Sequence, residues 1–130
     1  MVTMTIQPFA EYFGRQPDVV VAYLFGSVAR GQATPLSDVD IAVLLDPTAK
    51  PEAVLDRQIT LLTELTQLAE MEVQLTLLND VPPLLAYEVI REGILLHQRS
   101  GAERVAFQVK AMKEYFDVQP MLAFYNDVLR

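Results

Sequence analysis

The sequence predicts an α+β domain in which a small mixed β-sheet is flanked by helices, and two observations carry this prediction. Runs of apolar, β-branched residues with strand character occupy residues 19–25, 38–45 and 72–78. Segments in which apolar residues recur at helical spacing alternate with these runs, at residues 6–13, 52–69 and 82–93. The order helix, strand, strand, helix, strand, helix is typical of a small mixed sheet with its helices on one side.

The first two predicted elements lead the chain to Gly26. Phe9 and Phe13 recur at helical spacing, and Gly14 is a suitable helix terminator. Residues 19–25 are uniformly apolar, which predicts a strand that is buried on both faces. That strand ends at Gly26, and a brief helical turn and a loop are expected after it.

The second strand, at residues 38–45, begins with two carboxylates. Because side chains alternate along a strand, Asp38 and Asp40 are expected on one face, with Val39 and Ile41 on the other. Carboxylates at i and i+2 can share Mg²⁺ ions that also bind triphosphate oxygens. A DxD triplet alone is more often a loop cap with a surface charge, but the apolar strand that follows predicts an Asp40 that is partly enclosed and costly without a cation.

The later elements complete the predicted sheet and add a tail. Residues 94–97 predict a short edge strand, and residues from about 102 to 129 predict two helical pieces parted near Pro120. The helix at residues 52–69 is expected to pack on the sheet through one apolar stripe, formed by Leu55, Ile59, Leu62 and Leu65.

Composition limits the possible surroundings and partners of the chain. Its 130 residues predict one domain spanning 1–130, and the absence of cysteine favours a reducing, cytoplasmic setting. No apolar run reaches the roughly 20 residues that a membrane-spanning helix needs, so no membrane association is expected. The net charge is −7 and the ten basic residues are scattered, which argues against direct binding of nucleic acid.

The segment from Gly26 to Asp40 has the composition of a phosphate and metal site. Gly26 lets the backbone approach a ligand, and the helical turn after it would direct N–H groups at phosphate oxygens. Ser27 adds a hydroxyl donor, and Arg30 is placed to neutralise phosphate charge.

These residues resemble the signature of the minimal nucleotidyltransferases of the DNA polymerase beta superfamily. The resemblance is carried by LFGSVARG at residues 24–31 and SDVDIAVL at residues 37–44, and it extends through LLNDVPP at 77–83 and REG at 91–93. The tail is similar to that of the antitoxin members encoded beside HEPN-domain toxins, so nearly the whole chain is covered.

The resemblance implies a polymerase beta-type nucleotidyltransferase fold and an antitoxin that transfers AMP from ATP to a tyrosine hydroxyl of a partner HEPN toxin ribonuclease, silencing it. It implies that Asp38 and Asp40 bind Mg²⁺ as catalytic ligands. The residues implied to line the triphosphate of ATP are Gly26, Ser27, Arg30 and Ser37. Composition and spacing by themselves select neither adenine nor a protein hydroxyl.

The third acidic residue that this superfamily usually has is replaced here. Position 74, where the relatives tend to have an acid, is Gln, and an amide cannot accept the acceptor's proton. Glu72 would share the face of Gln74 on a regular strand and is a candidate catalytic substitute. Two alternatives stay open: Glu72 is a solvated residue at the strand start, or activity needs no third acid.

Two alternative functions follow from these observations. The first is an antitoxin that has lost catalytic power with the change at Gln74 and blocks its toxin by direct binding. The second is a small-molecule nucleotidyltransferase resembling the aminoglycoside-modifying enzymes.

Outside the motif, structural roles are expected for most side chains. His97 is interpreted as a half-exposed strand residue, Arg91 as a basic residue at a helix C-terminus and Glu92 as a solvated charge. The tail at about 102–130 carries more apolar and aromatic residues than a small sheet needs, which predicts that it contacts a protein partner or a second copy of the chain.

Overall fold

Four strands form one mixed sheet in the order β3-β2-β1-β4. The computed structural model describes residues 5–32, 34 and 38–128. β1 pairs antiparallel with β2 and with β4, and β2 pairs parallel with β3. The predicted α+β class and edge strand are confirmed. The strand bounds are Val19–Phe25 for β1, Val39–Leu45 for β2, Val73–Leu77 for β3 and Ile94–Gln98 for β4.

The described residues also form five α-helices and one 3₁₀ turn. Each predicted helix is present, and the turn after Gly26 is a single helical turn that starts at Gly26 itself. Proline occupies the first or second position of α1, α3 and α4, where its missing N–H costs nothing. The helices are α1 at Gln7–Gly14, α2 at Gly26–Ala29, α3 at Pro51–Ala69, α4 at Pro83–Glu92 and α5 at Gly101–Val128, and the 3₁₀ turn is Leu78–Asp80.

Helices cover both faces of the sheet, so the expectation that they lie on one side was wrong. Residues of α1 and α3, such as Phe13 and Leu61, pack with Ile41 of β2 in one core. On the other face, Ala42 of β2 packs in a second core with Val89 of α4. The central strands are therefore apolar on both sides, as their uniform sequences indicate.

The face of α3 that packs on the sheet differs from the predicted stripe. Leu61 and Leu65 are fully buried, whereas Leu55 and Ile59 are 59% and 56% exposed. The physical reason is that Leu61 and Leu65, one turn apart, both pack in the core with Phe13 and Ile41. Arg57 shares their face and binds the Asp18 carboxylate through two N–H groups at 2.6 and 2.9 Å, which joins this side of α3 to the residues just before β1.

The tail is one continuous helix, so the predicted division near Pro120 was wrong. Pro120 lies inside α5 and removes one backbone hydrogen bond, a local loss within a helix of 28 residues. No helix in the part of the chain that the structure describes is long and apolar enough to span a membrane.

The side chain of Asn79 completes the hydrogen bonding at the end of β2. Its Oδ1 accepts from the Leu45 N–H at 2.9 Å, and its Nδ2 donates to the Leu45 carbonyl at 2.8 Å. The amide thereby takes the place of a backbone partner at the point where β3 has already passed into the 3₁₀ turn. It holds that turn to the sheet.

We predict that Asn79→Ala lowers the free energy of unfolding by about 1–3 kcal/mol, because it leaves two backbone groups of Leu45 without partners. Urea denaturation followed by circular dichroism measures the change. Asn126→Ala, at an exposed position of α5, is the matched control and is expected to change stability by less than about 0.5 kcal/mol. Equal effects of the two substitutions would contradict the role given to Asn79.

Candidate functional site

The strand register brings residues of β1, β2 and β3 into one row at one end of the sheet. Phe25 of β1 is opposite Asp40 of β2, and Asp40 is opposite Gln74 of β3. Asp38 and Asp40 lie on the sheet face that carries Ala42, and Val39 and Ile41 are buried on the other face. The predicted alternation along β2 is confirmed.

Gly26 lies against the Asp40 carboxylate. Its φ is +76°, a left-handed conformation that glycine adopts without strain, and it joins the end of β1 to the start of α2. A Cβ on this residue would overlap Asp40 Oδ2 and lie 3.1 Å from Asp40 Cγ. The sequence motif therefore has a structural reason within the chain itself: a side chain on residue 26 would have to displace this carboxylate.

The environment of Asp40 disfavours its negative charge. Partial burial raises the pKa of the Asp40 carboxyl above its usual value, and the neighbouring Asp38 carboxylate raises it further. The positive charge of Arg30 acts in the opposite direction and is the smaller effect. A cation bound by Asp38 and Asp40 would remove both costs at once.

Gln74 is the β3 residue that contacts the acidic pair. Its Nε2 donates a hydrogen bond to Asp38 Oδ2 at 2.8 Å, so one oxygen of Asp38 is already engaged. Glu72 precedes β3, its side chain is exposed, and its carbonyl accepts from the Val39 N–H at 2.9 Å. Among the described residues no group of three or more acidic, histidine or cysteine side chains could hold a metal. The catalytic role of Glu72 stays a prediction.

Two of the other predicted phosphate-binding residues lie in α2 and at its C-terminus. Ser27 is half-buried in its first turn, and Arg30 is its C-terminal cap. Ser37 lies outside the described residues. The Arg30 guanidinium points to the end of α4, where its Nη1 lies 3.7 Å from Glu92 Oε2. Sequence reasoning missed this partner, since nothing in the local pattern joins residue 92 to residue 30.

His97 lies on the opposite face of the sheet from the acidic pair. It is paired with Ala22 in the β1–β4 ladder, and its ring stacks on Phe13 of α1 with centroids 6.5 Å apart. Burial lowers its pKa, which favours the neutral imidazole. The structure places it as a strand residue in the packing of α1.

The donor set at the row of Asp40 fits a magnesium ion. Mg²⁺ requires hard oxygen ligands and is commonly held by one or two carboxylates, with water and substrate phosphates in its remaining positions. Asp38 and Asp40 supply the carboxylates, and the nearby Gly26–Ala29 turn faces the same end of the sheet. The neutral Gln74 adds no negative charge to this set.

A family profile described as "Polymerase beta, Nucleotidyltransferase" matches residues 7–102. The chain belongs to this family. The matched range runs from α1 to the start of α5 and includes the row of Asp40, the α2 turn and the end of α4. The polymerase beta-type fold that the motif resemblance implies is therefore confirmed.

Solved structures of toxin–antitoxin complexes share the whole fold. A crystal structure of a toxin–antitoxin with AMP-PNP has 26% identity and a TM-score of 0.78, over 98% of this chain and 100% of that chain. A crystal structure of the toxin–antitoxin MntA–HepT has 26% identity and a TM-score of 0.66, over 91% of this chain and 90% of that chain.

A third structure holds a tri-AMPylated Shewanella oneidensis HEPN toxin in complex with its MNT antitoxin. It has 24% identity and a TM-score of 0.67, over 95% of this chain and 99% of that chain, a likeness that shows the fold. Comparison with curated proteins gives no significant match.

We predict that Gly26→Ala destabilises the chain more than Gly31→Ala. Both glycines have positive φ, +76° and +70°, but a Cβ on Gly31 meets nothing within 4 Å. Gly31→Ala should cost about 1 kcal/mol for backbone strain alone, and Gly26→Ala about 1–3 kcal/mol more for overlap with Asp40. Chemical denaturation of both variants measures the difference.

The origin of that difference can be tested in an Asp40→Ala background. Removing the Asp40 carboxylate should bring the cost of Gly26→Ala close to that of Gly31→Ala, because the overlapping atoms are gone. An unchanged cost would show that the contact with Asp40 is not what requires glycine.

Proposed function

We propose that this chain is an antitoxin that transfers AMP from ATP to a tyrosine hydroxyl of a partner HEPN-domain toxin and so neutralises it. The observation that carries the proposal is the acidic pair Asp38 and Asp40, held on one face of β2 with Asp40 against Gly26. Membership of the nucleotidyltransferase family and the likeness to toxin–antitoxin structures, one of them with AMP-PNP, support it.

The nucleotide would bind where α2 follows β1. Gly26 and Ser27 present backbone N–H groups and a hydroxyl to the triphosphate, Arg30 supplies positive charge, and Ser37 is the fourth predicted contact. Asp38 and Asp40 are the residues that would hold Mg²⁺, which when bound neutralises charge on the triphosphate and the leaving pyrophosphate.

In the transfer step, the oxygen of the acceptor hydroxyl forms a bond to the α-phosphorus of ATP. The bond between that phosphorus and the oxygen leading to the β-phosphate breaks, and pyrophosphate leaves. We assign the hydroxyl proton to Glu72, which is exposed, is not a proposed metal ligand, and is held next to β2 through its carbonyl, the acceptor from the Val39 N–H. The amide of Gln74 cannot take this proton, but it restrains Asp38.

We predict that Asp40→Asn abolishes AMP transfer, with a loss of more than about 100-fold, since even residues that only orient metal ligands contribute 10- to 100-fold. The same substitution should raise the free energy of unfolding at pH 7. Because the pKa of Asp40 is raised in the folded chain, its ionisation opposes folding as pH rises through that pKa, and Asn carries no charge. Intact-mass measurement of the HEPN partner, with ATP and Mg²⁺, reports the transfer.

Asp56→Asn, at an exposed position of α3, is the control and should leave both transfer and stability unchanged. An Asp40→Asn variant that still adds AMP would overturn the metal role of Asp40. Loss of transfer together with loss of stability would show that Asp40 serves the fold instead.

One observation favours a second candidate function, inhibition by binding alone. The position beside the acidic pair holds the amide of Gln74, which binds an oxygen of Asp38 that a metal could use. In the same assay, a chain that inhibits by binding alone forms a stable complex with the HEPN partner, and the mass of the partner does not increase. The wild-type chain thus distinguishes the two candidates before any variant is made.

We infer that the distal part of α5 contacts the partner. Met121, Phe124 and Tyr125 are 70%, 69% and 60% exposed, far more than apolar residues of a core. The middle of the helix is held to α4 by the stacked rings of Tyr87 and Tyr115, whose centroids are 4.0 Å apart. The distal turns extend beyond this anchor as an apolar surface.

We predict that Phe124→Ala with Tyr125→Ala weakens binding of the HEPN partner by about tenfold or more, as expected for aromatic anchors of an interface. The unfolding free energy should be unchanged, since both rings are exposed. Leu55→Ala with Ile59→Ala, at two apolar positions of α3 that are 59% and 56% exposed, is the matched control. Calorimetric titration that finds the larger loss in the α3 variant would place the interface there instead.

A further inference from the structure

The guanidinium of Arg30 has a carboxylate partner outside the acidic row. Its Nη1 lies 3.7 Å from Glu92 Oε2, and both side chains are largely exposed, at 45% and 40%. Arg30 is nevertheless close enough to Asp40 for its charge to act on that carboxyl. The arginine proposed to bind phosphate is therefore shared between the nucleotide site and Glu92.

The backbone fixes the position of Glu92. Gly93, the next residue, packs the end of α4 onto β1: a Cβ there would lie 3.3 Å from the Leu24 carbonyl oxygen and 3.4 Å from Tyr23 Cβ. The Gly93 N–H also donates to the Val89 carbonyl at 2.8 Å. Since β1 continues directly into Gly26, the end of α4 is held at a fixed position relative to the α2 turn. In the ion pair between Arg30 and Glu92, the arginine has the longer side chain and is the partner that can move.

Glu92 has a second cationic partner. Arg91 Nη2 donates to Glu92 Oε1 at 3.1 Å, and the Arg91 guanidinium lies over the ring of Tyr87, 5.9 Å from its centroid. Each carboxylate oxygen of Glu92 thus faces a different arginine. If the Arg30 guanidinium moves away from Glu92, the positive charge of Arg91 still balances the Glu92 carboxylate.

We propose that Glu92 is a positioning residue that competes with the triphosphate for Arg30, an inference that rests on the proposed nucleotidyltransferase function. Nucleotide binding exchanges Glu92 for phosphate oxygens at the Arg30 guanidinium, and Arg91 retains Glu92. The exchange is inexpensive because an exposed ion pair contributes little to stability. Glu92 thereby sets the affinity for nucleotide without touching it.

Calorimetric titration of the full chain with AMP-PNP and Mg²⁺ tests this exchange without turnover. Glu92→Gln should bind AMP-PNP about two- to fivefold more tightly, the range that loss of an exposed ion pair allows. Glu88→Gln is the matched control, because Glu88 is exposed one turn earlier on the same face of α4 and has no ion pair among the described residues. Its affinity should equal that of the wild type.

Two further variants separate the exchange from a general effect of charge. In an Arg30→Ala background, Glu92→Gln should no longer tighten binding. Arg91→Gln leaves Arg30 as the remaining partner of Glu92 and should therefore weaken AMP-PNP binding. This effect should vanish in the double variant with Glu92→Gln.

Unchanged or weaker binding by Glu92→Gln overturns the inference, as does equal tightening in the Arg30→Ala background. If Glu92→Gln fails to fold, the Arg91→Gln result decides, and unchanged or tighter binding by that variant overturns the inference. Absence of AMP-PNP binding by the wild-type chain would remove the proposed function and this inference with it, whereas normal wild-type binding with no effect at Glu92 removes the inference alone.

Discussion

The carboxylate of Asp40 occupies the space that a side chain on residue 26 would fill, and this close approach ties β2 to the junction of β1 and α2. Two consequences follow from it. The chain must leave β1 through a glycine with positive φ, and α2 must start beside the acidic row. Arg30, one turn later, is then brought near Asp40. This close approach thus places one basic and two acidic side chains at one end of the sheet.

The two-sided core is what allows the acidic pair to persist. Asp40 is partly buried next to another carboxylate, an arrangement that opposes folding when both are ionised. Packing on both faces of β1 and β2 offsets that cost and prevents the strand from shifting its register to expose the acids. This electrostatic cost is retained at the place where a cation would relieve it, and carboxyl groups perturbed in this way are common at functional sites.

Sequence patterns predicted the strands well because uniform apolar runs and alternation are local properties of β1 and β2. The packed face of α3 was not predictable in this way, since the helix carries two apolar stripes and which of them is buried depends on packing against α1 and the sheet. The continuity of α5 was not predictable from Pro120 alone, because a proline removes one backbone hydrogen bond and a helix of 28 residues retains the others. Both errors concern how an element packs or continues, whereas its presence was correctly predicted.

Within the site too, the features predictable from local sequence differ from those that packing determines. Gly26 and Asp40 could be recognised from the motif, but the contacts of Gln74 and Glu92 depend on strand register and on how α4 meets β1. These two residues act on opposite sides of the acidic pair, one neutral and bound to Asp38, the other charged and bound to Arg30. With Arg30 partly neutralised by Glu92, the carboxylates dominate the local field and repel a bare triphosphate. Under the proposed function, a cation held by the acidic pair would accompany the nucleotide and offset this repulsion.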